Sequence, residues 1–247
     1  MPRRSAEPEV FEANWDLIAK ILSSPINIGS YRMCLSGPPG IGKTLTPIKT
    51  LRAAGYKTFI AGITEETPMS ELRGHFILKG NEFVWHDGVM IRAWRESHGP
   101  NPVCLIINEI DKAPGDVLSF FHTLLDDPDV AEIHLPTGEI LIPKKDNIRY
   151  VATMNGVPQD LPAPLRSRFP LMLQVKKVHP DALASISPAL RGAAQNILEN
   201  STDRPYSIRE FIAYESLAKA IGEMDALAAI FGSDAAMLMD AIKVKEF

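Results

Sequence analysis

Two cysteines in 247 residues exclude a disulfide framework and a cysteine-rich zinc module. Cys34 and Cys104 each lie inside an apolar run, where a thiol serves as a small hydrophobe. The six histidines (75, 86, 98, 122, 134 and 179) show no i,i+4 or clustered ligand spacing, so the pattern names no metal–histidine site. No apolar run approaches the roughly 18–20 residues of a membrane span. The basic start Met1-Pro2-Arg3-Arg4 is not followed by an apolar signal core, and the expectation is a cytoplasmic protein. A net charge of −4 supplies no global field for nucleic acid; only a local basic patch would serve that purpose. Repeats and low-complexity tracts are absent as well.

What is present is a phosphate loop. Gly37-Pro38-Pro39-Gly40-Ile41-Gly42-Lys43-Thr44 is a complete G-x-x-x-x-G-K-T. Its glycines let successive backbone N–H groups turn toward one anion, and the helix that follows adds its positive end. Lys43 has the reach for β- and γ-phosphates, and the Thr44 hydroxyl suits Mg²⁺. The context fits: Tyr31 to Leu35 reads as a short buried strand before the loop, and Leu45 to Ala54 as a helix after it. Pro47 falls inside that helix and predicts a local kink.

Elsewhere, Phe11 to Leu22 carries a helical apolar face, and Lys57 to Ala61 reads as a second strand. After a short helical start at Pro68 to Leu72, segments 75–78 and 83–85 read as strands around a Gly-Asn turn, a hairpin set into a helical stretch that resumes at Val89. Phe83 and Trp85 alternate with Val84, which predicts one aromatic face, either exposed as a contact surface or packed on the helix that starts near Val89. Val103 to Ile107 is a continuous apolar run, the mark of a central parallel strand. Val117 to Leu125 is helical, and 132–135 with 139–142 signal a second hairpin. Ile148 to Thr153 and Leu171 to Val175 are two more strands; from Pro180 onward the pattern is helical, over 182–198, 208–221 and 224 to the end. Strands alternating with helices and then helices alone predict an α/β fold: a three-layer αβα core with a parallel sheet and inserted β-hairpins, followed by a small α-helical lid. The core spans residues 1–178, with hairpins near 75–86 and 131–143, and the lid spans 179–247.

Four sets of polar residues stand at strand or helix ends. The buried strand closes on Asn108-Glu109, where phosphate-loop ATPases commonly carry an acidic pair, one holding Mg²⁺ through water and one polarising the attacking water. Glu109 suits the second role; Asn108 brings an uncharged amide to the first. Asn155 closes the next strand and is placed to face a γ-phosphate. Arg166 and Arg168 precede the last strand, and an arginine supplied to a neighbour's γ-phosphate is worth about 10³–10⁵ in rate in other nucleotide hydrolases. Arg209 opens a lid helix after Ser207-Ile208.

This set resembles the AAA+ ATPases of the MoxR-like and dynein-related branch, CbbQ/NirQ-like members included, over about Ser30 to Glu210. The likeness is carried by Gly37 to Thr44, Thr64 to Gly74, Asp87 to Ala93, Ile107 to Pro114, Ala152 to Asn155, Arg166 to Phe169 and Ser207 to Arg209. It implies ATP with Mg²⁺, held by Gly37 to Leu45 and, at the metal, by Thr44 and Asn108. It implies Glu109 as catalytic carboxylate, Asn155 as first sensor, Arg168 with Arg166 as the arginine acting in trans, and Arg209 as second sensor. The family usually has aspartate at the Asn108 position. The resemblance further implies a homo-oligomeric ring, hexameric in the usual case, that remodels a client or adaptor protein, often one with a von Willebrand factor A domain. A nucleotide-binding switch subunit with weak turnover and a nucleic-acid motor stay open beside it; a small-molecule kinase would not need Asn155, Arg168 and Arg209 around one phosphate.

Overall fold

The computed structural model describes residues 11–25, 32–127, 129–200, 206–236 and 238–239. The chain divides into two compact units: residues 1–36 with 44–174, and residues 37–43 with 175–247.

The first unit is built on β1 (Phe11–Glu12), β2 (Arg32–Ser36), β3 (Lys57–Gly62), β6 (Val103–Asn108), β9 (Ile148–Met154) and β10 (Leu171–Gln174). They form one sheet in the order β1-β10-β2-β9-β6-β3, with every pairing parallel. Central strands of such a sheet are covered on both faces, which is why β6 and β9 are apolar almost throughout. Alternate residues face opposite layers. Leu105, Ile107, Tyr150 and Ala152 join the cluster made by Met90, Ile91 and Trp94 of α4 (Val89–Glu96) and by Val117, Phe121 and Leu124 of α5 (Gly115–Leu124). On the opposite face Arg149, 1% exposed, donates to the carbonyls of Ile21, Leu22 and Ser24 at the end of α1 (Trp15–Ser23) and stacks 5.2 Å from the Tyr56 ring centroid. A buried cation there bonds acceptors at the helix end, the Ile21 carbonyl also accepting from Ser24. Burial pushes the nearby Cys104 thiol up to about 12, against the pull of the Arg149 charge.

Several expectations change. Phe11 is not helical: β1 pairs with β10, and Asn14 caps α1 by accepting the Leu17 N–H at 2.8 Å. The helix after the phosphate loop, α2 (Leu45–Ala53), carries Pro47 as its third residue. First-turn N–H groups have no intrahelical partner, so Pro47 costs no ladder bond and no kink is required. After α3 (Met69–Leu72), the first hairpin forms as β4 (Gly74–Lys79) and β5 (Glu82–Asp87), with Phe76 opposite Trp85 and Leu78 opposite Phe83. Its aromatic face is not uniformly exposed. Phe83 is 74% exposed, whereas Trp85 packs against the core cluster, meets Phe76 edge-on at 5.3 Å and donates its Nε1–H to Asp87. The second hairpin is shorter than expected, β7 (Ile133–His134) with β8 (Ile140–Leu141). Arg95 of α4 links the two: Nε bonds Asp87 at 2.5 Å, and Nη1 and Nη2 bond both oxygens of Glu139 at 2.6 and 2.7 Å. A last short helix, α6 (Ala163–Arg166), precedes β10.

The second unit holds α7 (Pro180–Ala184), α8 (Pro188–Asn200), α9 (Ile208–Ile221) and α10 (Glu223–Phe231). The single helix expected over 182–198 is two, because Ser185 caps α7 and Pro188 starts α8. Phe231 centres its core, with ring centroids of Tyr206, Phe211 and Tyr214 at 5.6, 5.5 and 6.2 Å. The helix expected from Met224 to the end stops at Phe231, and the stretch from 240 onward lies outside the described residues. No helix among the described residues is long and apolar enough to cross a membrane.

Candidate nucleotide site

The phosphate loop 37–43 belongs to the second unit. Gly37 and Gly40 have φ of 145° and 75°, where side chains other than glycine's are strained. Space excludes them too: a Cβ on Gly37 would lie 2.0 Å from the Val175 carbonyl oxygen, and one on Gly40 would lie 2.5 Å from Ser207 Cβ. Ser207 caps α9 together with Glu210, whose carboxylate accepts the Ser207 N–H at 2.6 Å. The loop therefore runs against the N-terminal turn of α9, which starts Ser207-Ile208-Arg209. The Ile41 carbonyl accepts the His179 N–H at 2.9 Å. Lys43 is buried, with Nζ donating to the carbonyls of Gly37 at 2.8 Å and Pro38 at 2.5 Å. Arg209 is exposed and makes no side-chain hydrogen bond or ion pair among the described residues.

In the first unit, the ends of β6 and β9 carry a connected polar set. Thr44 Oγ1 donates to Asn108 Oδ1 at 2.5 Å, and Thr153 Oγ1 donates to the same oxygen at 2.9 Å. The Glu109 N–H reaches Thr153 Oγ1 at 3.4 Å, and Asn155 Nδ2 reaches Glu109 Oε1 at 3.4 Å. Glu109 is the one non-glycine residue with positive φ among those described, at φ 60° and ψ 48°. A glutamate gains nothing locally from that conformation, and such strain concentrates at functional sites. Thr44, Asn108, Glu109 and Asn155 are thus brought together, and Thr153 is the residue that joins them. Sequence reasoning missed Thr153; its signal was a hydroxyl in an otherwise buried strand, two residues before Asn155.

The two arginines before β10 behave differently. Arg168 pairs with Asp126 at 3.1 Å and donates Nε–H to the His122 carbonyl at 3.4 Å. Arg166 is half-buried and makes no side-chain hydrogen bond or ion pair among the described residues. Neither is bonded to the Glu109 set. Leu45, at the loop's end, is 53% exposed.

Each unit carries its own donor set, the loop's suited to phosphate and the strand-end set's to a hard cation. The loop offers N–H groups and one ammonium, and the Thr44 proton is committed to Asn108, leaving hydroxyl lone pairs for an ion. No cluster of three or more His, Cys, Asp or Glu that could hold a metal occurs among the described residues.

Residues 32–169 match the AAA domain of the dynein-related subfamily. The chain belongs to that family. It is an AAA+ protein of the MoxR-like, dynein-related branch, and its parallel sheet flanked by helices is the AAA domain's α/β phosphate-loop core. Among curated relatives, NorQ from Paracoccus denitrificans is 33% identical over 105 residues, covering 42% of this chain and 37% of NorQ. Midasin from Giardia intestinalis is 27% identical over 121 residues, 49% of this chain and 2% of midasin. Lon protease 2 from Bdellovibrio bacteriovorus is 28% identical over 159 residues, 59% of this chain and 18% of that protease. The aligned part therefore spans well under half the length of each of these three relatives. The AAA domain match itself implies nucleotide binding.

Proposed function

We propose that the chain is a Mg²⁺-dependent ATPase that works as a homo-oligomeric, hexameric ring and remodels a client or adaptor protein in the cytoplasm. The functional division is a core over 1–178 and a lid over 179–247. The observation that carries this reading is the connected set Thr44–Asn108–Thr153–Glu109–Asn155 at the carboxyl ends of adjacent parallel strands, where open α/β sheets bind ligands.

In this reading Gly37 to Leu45 hold the nucleotide and Lys43 turns from the loop carbonyls to the β/γ-phosphates. Thr44 presents its lone pairs to the cation, with Asn108 behind it. The cation, when bound, neutralises charge on the phosphate oxygens. The Glu109 carboxylate takes a proton from the attacking water, and the Asn155 amide holds that carboxylate in place. Arg168 of a neighbouring copy, with Arg166 beside it, stabilises charge developing on the γ-phosphate, and Arg209 acts from the lid helix. The apolar hairpin residues Phe76, Leu78 and Phe83, all exposed, form the client-facing surface. A von Willebrand factor A domain is the partner class that the family resemblance suggests.

A second reading has one observation in its favour. Asn108 Oδ1 already accepts two hydroxyl bonds, and its NH₂ cannot accept from metal-bound water. That favours a switch subunit with slow turnover.

The test is Lys43→Ala, with binding of a labelled ATP analogue, phosphate release, and particle mass with and without ATP. Binding is expected to be lost, and Lys43→Ala chains by themselves should not assemble on ATP, whereas ATP-bound neighbours still recruit them. Unchanged affinity would remove this loop from the site. A ring that forms on ATP but releases phosphate only slowly in the wild type would select the switch reading.

A further inference from the structure

Arg168 is held from several directions. Its backbone lies in a turn in which its N–H bonds the Leu165 carbonyl at 3.0 Å and the Phe169 N–H bonds the Arg166 carbonyl at 3.1 Å. Leu165 and Phe169, on either side, are 0% and 3% exposed and anchor that turn in the core. Its guanidinium is then fixed at two nitrogens, Nε on the His122 carbonyl in the last turn of α5 and Nη2 on Asp126 Oδ2. Asp126 is itself immobilised, because its Oδ1 accepts the Asp127 N–H at 2.9 Å. A cation at the carbonyl end of a helix is electrostatically favoured there. Pairs as solvent-exposed as this one add little to stability, so orientation is the better account of it.

We propose that Asp126 is a positioning residue for Arg168, fixing the guanidinium on the end of α5 so that Nη1 is presented to the neighbouring subunit. The proposal rests on the reading of Arg168 as an arginine used in trans. It deepens that reading by explaining why Arg168, rather than the unanchored Arg166, is the one delivered. An arginine side chain left free would lose most of its rotamer freedom at each turnover; one already held by Asp126 and His122 loses little.

The test uses the full chain and four variants: Asp126→Asn, Asp126→Glu, Arg168→Ala and Lys43→Ala. Asp126→Asn is expected to lower kcat on the order of 10-fold, with KM for ATP and particle mass unchanged. Asp126→Glu, which keeps the charge, is expected to recover part of that loss. Combining Asp126→Asn with Arg168→Ala should be no worse than Arg168→Ala alone.

Mixing locates the defect. A chain with Asp126→Asn has an intact nucleotide site but offers a loose arginine, whereas a Lys43→Ala chain offers a well-held one. Mixed assemblies should therefore turn over faster per nucleotide-competent chain than Asp126→Asn assemblies do. A merely structural role for Asp126 would not produce that gain, even in a variant of lowered stability. Wild-type kcat in Asp126→Asn, or no gain on mixing, overturns the positioning role. Wild-type turnover in Arg168→Ala overturns the trans reading itself, and the two failures are distinct.

Discussion

The hydroxyl of Thr44 and the side-chain carbonyl of Asn108 share a 2.5 Å hydrogen bond, and Thr153 takes the second lone pair of the same oxygen. An amide in this position is saturated as an acceptor. A carboxylate has about four acceptor sites, so Asn108→Asp would keep both hydroxyl bonds and leave sites for metal-bound water. The Mg²⁺ concentration needed for half-maximal binding of an ATP analogue should fall by roughly tenfold, about 1.4 kcal/mol. Titrating Mg²⁺ against analogue fluorescence measures it. An unchanged Mg²⁺ midpoint would place Asn108 away from the metal.

Glu109 sits in left-handed backbone that costs a non-glycine residue about 1–2 kcal/mol. Glu109→Gln keeps the backbone and removes the base, so ATP should bind and persist while phosphate release stops. Glu109→Gly should also abolish phosphate release, yet unfold at a denaturant concentration no lower than wild type, with a gain of up to about 1 kcal/mol. Turnover at the wild-type rate in Glu109→Gln would remove it as the base.

Arg149 closes the end of α1 with donors to three carbonyls while fully buried. Arg149→Ala takes a donor from the Leu22 and Ser24 carbonyls and opens a cavity, and should lower the unfolding free energy by about 3 kcal/mol. Arg149→Lys should recover little, since an ammonium lacks the planar fork. Urea melts monitored by tryptophan fluorescence decide it.

The link between the hairpins has a pH signature. The bidentate bond from Arg95 holds the Glu139 carboxylate below its ordinary 4.5, while partial burial opposes the shift. A folded-state value below the unfolded one contributes stability that is fully present above the ordinary carboxylate range. That contribution is lost as pH falls through the folded value. The melting temperature of wild type should therefore exceed that of Glu139→Gln at neutral pH and converge on it in acid. A difference that stays constant down to low pH would show that the pair does not set the shift.

The phosphate loop, the strand-end residues and both hairpins were legible because their signals are local. The loop is a contiguous motif, Asn108 and Asn155 end apolar runs, and the hairpins carry turn residues. What escaped depends on partners far along the chain. Nothing near Phe11 announces that it will pair with Leu173, and nothing near Arg168 points to Asp126. Pro47 misled because its effect depends on where the helix starts, and Thr44 starts it. The break at Ser185 to Pro188 was written in the sequence, but apolar periodicity on both sides concealed it. Trp85 looked like Phe83 by alternation, and only the core beside it separates them.

The clearance at Gly40 is set by Ser207, since a methyl group on the first would fall 2.5 Å from the second's Cβ. The genetic consequence is that the two codons are not independent. In a library randomised at both positions, recovered chains should be confined to glycine at 40 with small residues at 207. Changes at 207 that enlarge the side chain should behave as phosphate-loop mutations, although they lie outside the motif by which such loops are recognised.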